Sequence, residues 1–428
     1  MTEQSTKRKT ASAILVVFLV FLVGSSANEI AIIYLDTQSR ISDAYALSDE
    51  RASSVDKSLV SSNTGFALNL FKELIAEDQN GNVFISPLSV SIALSMAFNG
   101  AEGTTRDAMA RVLQLGNMSL EELNQGYLDL IESLENADIL VQLSIADSIW
   151  IRDSFEPYVR QEFTQRVTEF FRSEVFTRDF GSQQTVDEIN AWVSDQTDGK
   201  IDKMVDEIGS QLAMFLINAI YFKGEWVTSF DESATEASDF FLSDGSAVSV
   251  DMMSTKGNFS YLQGEDFTAV RLPYGRDKIA MYVFLPDRDV ALDSFVESLS
   301  RETLENYVEG FSPMGSLQVK LPKFKIEYGV KRLNDVLKNL GMGTAFIPAE
   351  ANFGGIATKQ LYIDYVDHKA TIEVNEKGTV ASAATVVGIS FSAVGPTFSV
   401  DRPFFFVIRD DRSGTVLFMG KVENPTAT

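Results

Sequence analysis

From Gly378 to Val400 the chain runs for 23 residues without one charged side chain, although 22% of its residues overall are charged. Left exposed with no task, such a run would be an aggregation hazard. Alternate positions from Thr379 place Thr379, Ala381, Ala383, Thr385, Val387 and Ile389 on one face, and Val380, Ser382, Ala384, Val386, Gly388 and Ser390 on the other. The N-terminal half can therefore join a sheet with small or apolar groups inward. Strands usually run roughly 3–10 residues, so the whole segment is too long for one. Two readings remain: a central strand followed by a loop, or a long exposed loop whose first half joins a sheet later.

The rest of the chain narrows what can carry such a segment. With 428 residues and no Pro/Gly/Ser-rich linker, long charge block or internal repeat after Val60, a single large domain over 59–428 is expected. Lys plus Arg number 36 against 60 Asp plus Glu, a formal charge of −24. That balance argues against a nonspecific grip on nucleic acid or a polybasic membrane surface. The absence of Cys removes disulfides and thiolate chemistry, and the lone His368 removes His-rich metal clusters and leaves one imidazole for any hydrolytic triad. No cofactor or metal site is expected. Near the N-terminus Lys7, Arg8 and Lys9 precede the apolar stretch from Ile14 to Val23 and the small residues Gly24 to Ala27. This is a signal-peptide pattern over 1–27, implying export. An uncleaved anchor is the alternative, although the apolar or small stretch from Ala11 to Val23 has 13 residues and a full span needs about 20. Residues 28–58 read as an acidic extension or tether.

From Asn63 onward, Phe66, Leu68, Leu70, Phe71 and Leu74 recur at spacings that give a helix one buried face. Ser119 with Glu122 forms a capping box before a second helix, and Val186, Ile189, Trp192 and Val193 line a third that Gly199 ends. The runs VQLSIADSIWI, FLINAIYFKGEW, KIAMYVFLP, SLQVKLPKFKIEYG, PFFFVIRD and TVLFMGKV are rich in β-branched and aromatic residues and supply strands. Helical runs dominate early and strands late. That order favours an α+β body with more than one sheet over regular βαβ alternation.

Several long signatures then occur in order: NVFISPLSVSIALSMAFNGAEGTT (82–105), INAWVSDQTDGKI (189–201), LINAIYFKGEW (216–226), LPKFKIEYG (321–329), HKATIEVNEKGT (368–379), DRPFFFVI (401–408) and FMGKVENP (418–425). Over roughly residues 60–425 the chain resembles the serpins, serine-protease inhibitors of the conformational-trap type. The resemblance implies three β-sheets, about eight or nine helices and an exposed reactive-centre loop. It also implies a mechanism in which a target serine protease attacks the loop and forms an acyl-enzyme. The cut loop then inserts into the main sheet and distorts the protease before deacylation. Such an inhibitor is consumed and is not an enzyme.

The implied hinge runs from Glu376 through Gly378, Thr379, Val380, Ala381, Ser382, Ala383 and Ala384 to Thr385. Its small residues fit the inhibitory pattern, because bulky or charged inward groups would slow insertion. Val380 departs from the acidic residue often seen there, but on the parity above it faces outward. Counting 17 residues from Glu376 places the reactive bond between Ser392 and Ala393, and a slip of one places it between Phe391 and Ser392. Ser392 suggests elastase-like or subtilisin-like proteases and Phe391 chymotrypsin-like ones. No basic residue is near to suit a trypsin-like pocket. Ser86, Ser89, Asn218 and His368 match the family's shutter, and Gly224 and Trp226 its breach, where insertion starts. A hydrolase using Asp367 and His368 is disfavoured, since no G-x-S-x-G elbow occurs. The alternative is a non-inhibitory serpin-fold carrier or folding factor. The acidic run EELNQGYLDLIESLEN argues against heparin-like activation, a monomer is expected, and Asn117 and Asn258 open glycosylation sequons.

Overall fold

The computed structural model describes residues 42–43, 45–135, 137–138, 140–379 and 395–427. The expected signal segment 1–27, hinge positions 380–385 and both candidate reactive bonds lie outside the described residues. The chain divides into two units, 1–50 and 51–428. The described residues of the first are helical.

In the second unit the Asp56 carboxylate accepts the Ser58 N–H and caps α1 (Lys57–Glu77), which buries Phe66, Leu70, Phe71 and Leu74. Ser86 caps α2 (Pro87–Phe98), with Pro87 in the first turn, where its missing N–H costs nothing. Every residue of α2 except Ala93 is buried, so its apolar residues need not keep to one stripe. The helices α3 (Gly103–Val112), α4 (Leu120–Glu135), α5 (Gln161–Phe171), α6 (Gln183–Gln196), α7 (Leu292–Ser298), α8 (Arg301–Gly310) and α9 (Asn334–Leu337) follow.

Strands numbered in chain order form two sheets among the described residues. The six-stranded sheet runs β10 (Phe324–Arg332), β11 (Asp367–Asn375), β12 (Gly378–Thr379), β4 (Met214–Glu225), β2 (Val141–Arg152), β3 (Glu174–Arg178). The nine-stranded sheet runs β1 (Val83–Ile85), β15 (Thr415–Val422), β14 (Phe404–Asp410), β8 (Ile279–Pro286), β7 (Phe267–Tyr274), β6 (Ala247–Gln263), β9 (Ser312–Pro322), β13 (Thr397–Ser399), with β5 (Glu236–Phe241) also on β6. The fold is α+β as expected, but the expected three sheets are two here. The cause is β6, a 17-residue strand. Its first part pairs with β5, its middle with β9 and its last four residues with β7, across a register shift between Gly257 and Phe259. One strand thus carries the ladders of two layers.

The six-stranded sheet is covered on both faces. Val141, Leu143, Ile145, Ile149 and Ile151 of β2 belong to the main core, while Trp150, Phe215, Ile217 and Ala219 on the other face pack with Ile189 and Val193 of α6. Alternation along the strands therefore separates two apolar layers.

Candidate functional site

The site follows one edge of β4. Along its other edge β4 pairs with β2 from Met214 to Gly224, but on this edge its pairing among the described residues is with β12 alone, at Gly224 and Glu225. The strand β11 pairs with β10 and, at Val374 and Asn375, with β12. Below this two-residue wedge no ladder joins β4 to β11 among the described residues. At the far end a cavity of about 300 Å³ lies between Met214–Asn218 and Tyr362–His368, against Ser89 and Ala93 of α2.

The wedge is held from several directions. Trp226 N–H donates to the Lys377 carbonyl at 2.9 Å, Phe230 N–H to the Glu376 carbonyl at 2.9 Å, and the Trp226 indole to the Asn375 carbonyl at 3.0 Å. The Trp226 ring stacks on Tyr274 at 4.3 Å, and the Tyr274 hydroxyl shares a 2.7 Å hydrogen bond with the Thr379 hydroxyl. Burial opposes ionisation of Glu376. Hydrogen bonds from its own N–H, from Thr235 and from Lys323, whose ammonium is 3.2 Å away, outweigh that effect and hold its carboxyl below the ordinary 4.5.

Glycine is required twice. A Cβ at Gly224 would come 2.9 Å from the Tyr274 ring, and one at Gly378 would come 2.0 Å from the Gly224 carbonyl oxygen, with φ at +154°. Backbone cannot move aside as a side chain can. Gly378→Ala is therefore expected to cost at least about 1–3 kcal/mol and to free β12. The check is the denaturant midpoint, and an unchanged value would mean that the wedge is not held this way.

The lower part of the gap carries a polar chain across five elements. His368 of β11 is buried, and its Nε2 accepts the Ser86 N–H at 3.1 Å; the Ser86 hydroxyl donates to the Leu417 carbonyl at 2.8 Å. The Ser89 hydroxyl donates to the Asn218 carboxamide oxygen, and Asn218 Nδ2 donates to Asp147 of β2 at 2.8 Å. Burial pushes the His368 imidazole down to about 4, so it is neutral near pH 7. Asp147 is 3% exposed, and burial drives its carboxyl up to about 7 against the Asn218 hydrogen bond, with Glu135 adding repulsion.

Ser86, Ser89, Asn218 and His368 thus lie in one hydrogen-bonded cluster, while at the wedge Gly224 faces Thr379 beside Gly378, and Trp226 bonds to Asn375 and Lys377 on either side of Glu376. Val380, Ala381, Ser382, Ala383, Ala384, Thr385, Phe391, Ser392 and Ala393 lie outside the described residues. Asp367 and His368 make no dyad: Asp367 pairs with Arg332 at 3.0 Å while the adjacent His368 turns into the core. Sequence reasoning missed Asp147 and Tyr274. For Asp147 a signal existed, since it interrupts the apolar series Val141, Leu143, Ile145, Ile149, Ile151 at an inward position. For Tyr274 the partner is distant in sequence, and nothing local marks it.

A family model described as Serpin (serine protease inhibitor) matches residues 61–425. The chain is similar to serpin A3-6 of Bos taurus, 32% identical over 382 residues that cover 88% of this chain and 91% of the bovine protein. It is similar in structure to the thermophilic serpin tengpin in its native state, with a TM-score of 0.79, 30% identity, and coverage of 86% of this chain and 95% of tengpin. Human thyroxine-binding globulin is a further neighbour, with a TM-score of 0.78, 29% identity, and coverage of 86% and 99%. The matched signatures, the sheet with its wedge and these relatives agree: the chain belongs to the serpin family and is not an enzyme.

Proposed function

We propose that this chain is an irreversible suicide-substrate inhibitor of extracellular serine proteases, elastase-like or subtilisin-like, acting by acyl-enzyme trapping and loop insertion. The observation that carries this reading is the wedge at the head of an unladdered gap. Continuing its register, in which Thr379 faces both Gly224 and Val374, would set Ala381 between Phe222 and Ile372, Ala383 between Ile220 and Ala370, and Thr385 between Asn218 and His368. Thr379 and Val374 are both buried, so these positions would point inward. Small side chains there would enter a packed interior with little displacement of neighbours.

The proposed organisation is an export signal over 1–27, cleaved or kept as an anchor, an extension over 28–58, and an inhibitory domain over 59–428 that acts as a monomer without heparin-like activation. A carrier role is the second reading, favoured by the likeness to thyroxine-binding globulin. The small hinge residues support trapping instead. Mixing the protein with subtilisin, an elastase and chymotrypsin is expected to give a denaturant-stable complex and a released fragment beginning at Ala393. A fragment beginning at Ser392 would move the bond to Phe391. Cleavage without a complex across a wider protease panel would leave the carrier reading.

A further inference from the structure

We propose that Asp147 is a positioning residue of the gate, acting through Asn218 on the strand that inserted residues must pass. Both ends of the Asn218 carboxamide are engaged: its nitrogen donates to Asp147 and its oxygen accepts from Ser89. An ionised carboxylate can only accept, so it fixes which end of the amide faces it. Asp147 thereby ties β4 to β2, and by turning the carboxamide oxygen toward Ser89 it ties β4 to α2 as well. Asn218 is also the residue that the continued register would bring opposite Thr385. The inference rests on the trapping reading for that last step.

The surroundings make this tie sensitive to protonation. Opposite Asp147 on β4 is the neutral Asn218, and α2 offers the Ser89 hydroxyl. From α4 come Tyr127 and Glu135, the latter paired with Arg172, just past α5, at 2.7 Å. The strand β3 pairs with β2 only from Ser148 onward, α6 packs on the opposite face, and β11 contributes the neutral His368. Once protonated, Asp147 can donate as well as accept, so it no longer dictates which end of the Asn218 amide faces it, and their bond loses its charge assistance. The carboxylate form holds the gate and the acid form loosens it.

The test uses the whole protein and a synthetic peptide of residues 379–389, which carries no charged side chain, so with blocked ends its own ionisation is constant between about pH 6 and pH 8. Uptake into the gap, read by native gel and by the gain in thermal stability, is expected to be about fivefold faster at pH 6 than at pH 8 in the wild type, the scale of one lost hydrogen bond. Asp147→Asn, a donor and acceptor that does not titrate, stands in for the acid form, so its uptake should be flat with pH and close to the wild-type rate at about pH 6. Asp147→Leu, with no acceptor, should be fast at both. A wild type without the pH step, or a step that survives in Asp147→Asn, would overturn the inference while leaving trapping intact. No uptake at either pH would sink the trapping reading and this inference with it.

Discussion

Ala383→Glu is expected to convert the inhibitor into a substrate, while Ser382→Glu, one residue away, leaves trapping nearly intact. In the continued register Ala383 would point inward between Ile220, which is 7% exposed, and Ala370, which is 3% exposed. Neither of these apolar partners can meet a carboxylate. Burying one there, ionised or protonated, costs several kcal/mol. If the chain traps as proposed, insertion competes with deacylation, so about 3 kcal/mol added to the insertion barrier lowers the ratio of trapping to release roughly a hundredfold. Ser382 would stand level with Tyr221 and Thr371 on the other face, whose hydroxyls can both donate to a carboxylate. The measurement is the number of inhibitor molecules consumed per protease trapped, with loop cleavage followed on the same gels. Equal damage from both variants would show that the inserted strand does not continue the register of Thr379, and no damage from either would separate trapping from insertion.

Much of the scaffold is legible because its cues are local. The run VQLSIADSIWI lies in β2, KIAMYVFLP in β8 and TVLFMGKV is β15, and SLQVKLPKFKIEYG divides into β9 and β10 at Lys323. The capping box at Ser119 and Glu122 forms in both directions, and Gly199 sits at φ +74° just past α6. Trp192 is the exception on that helix. It is half-buried, with its indole donating to Glu174 instead of joining the buried stripe. The helix from Asn63 begins earlier, at Lys57, because the Asp56 cap acts upstream of the apolar stripe. Sheet number is not legible, since a bulged strand such as β6 reads the same whether it closes one layer or joins two. In the candidate site the residues carried by family signatures were legible, whereas Tyr274 depends on a hydroxyl 105 positions away in the chain.

The two buried titratable groups of the gate should oppose each other in the pH dependence of stability, and Asp147→Asn should expose this. Asp147 is raised from 3.8 to about 7 in the folded chain. Its contribution is therefore fully present below 3.8 and is lost as pH rises through about 7. His368 is lowered from 6.5 to about 4, so its contribution is present above 6.5 and is lost as pH falls through about 4. Between about pH 4 and 6.5 the folded state holds the proton that unfolded Asp147 releases, and refuses the proton that unfolded His368 takes up. The two slopes have opposite sign and largely cancel. Asp147→Asn removes one of them and keeps the acceptor for Asn218. The variant is thus expected to match the wild type near pH 4 and to exceed it at pH 8 by on the order of 2–4 kcal/mol. Between those limits its stability should climb with pH where the wild type is flatter. Denaturant midpoints of both proteins from about pH 4 to pH 8 measure the difference directly, and other carboxylates drop out of it. A difference that does not change with pH would mean that Asp147 is ionised throughout, held by interactions stronger than its one neutral partner supplies.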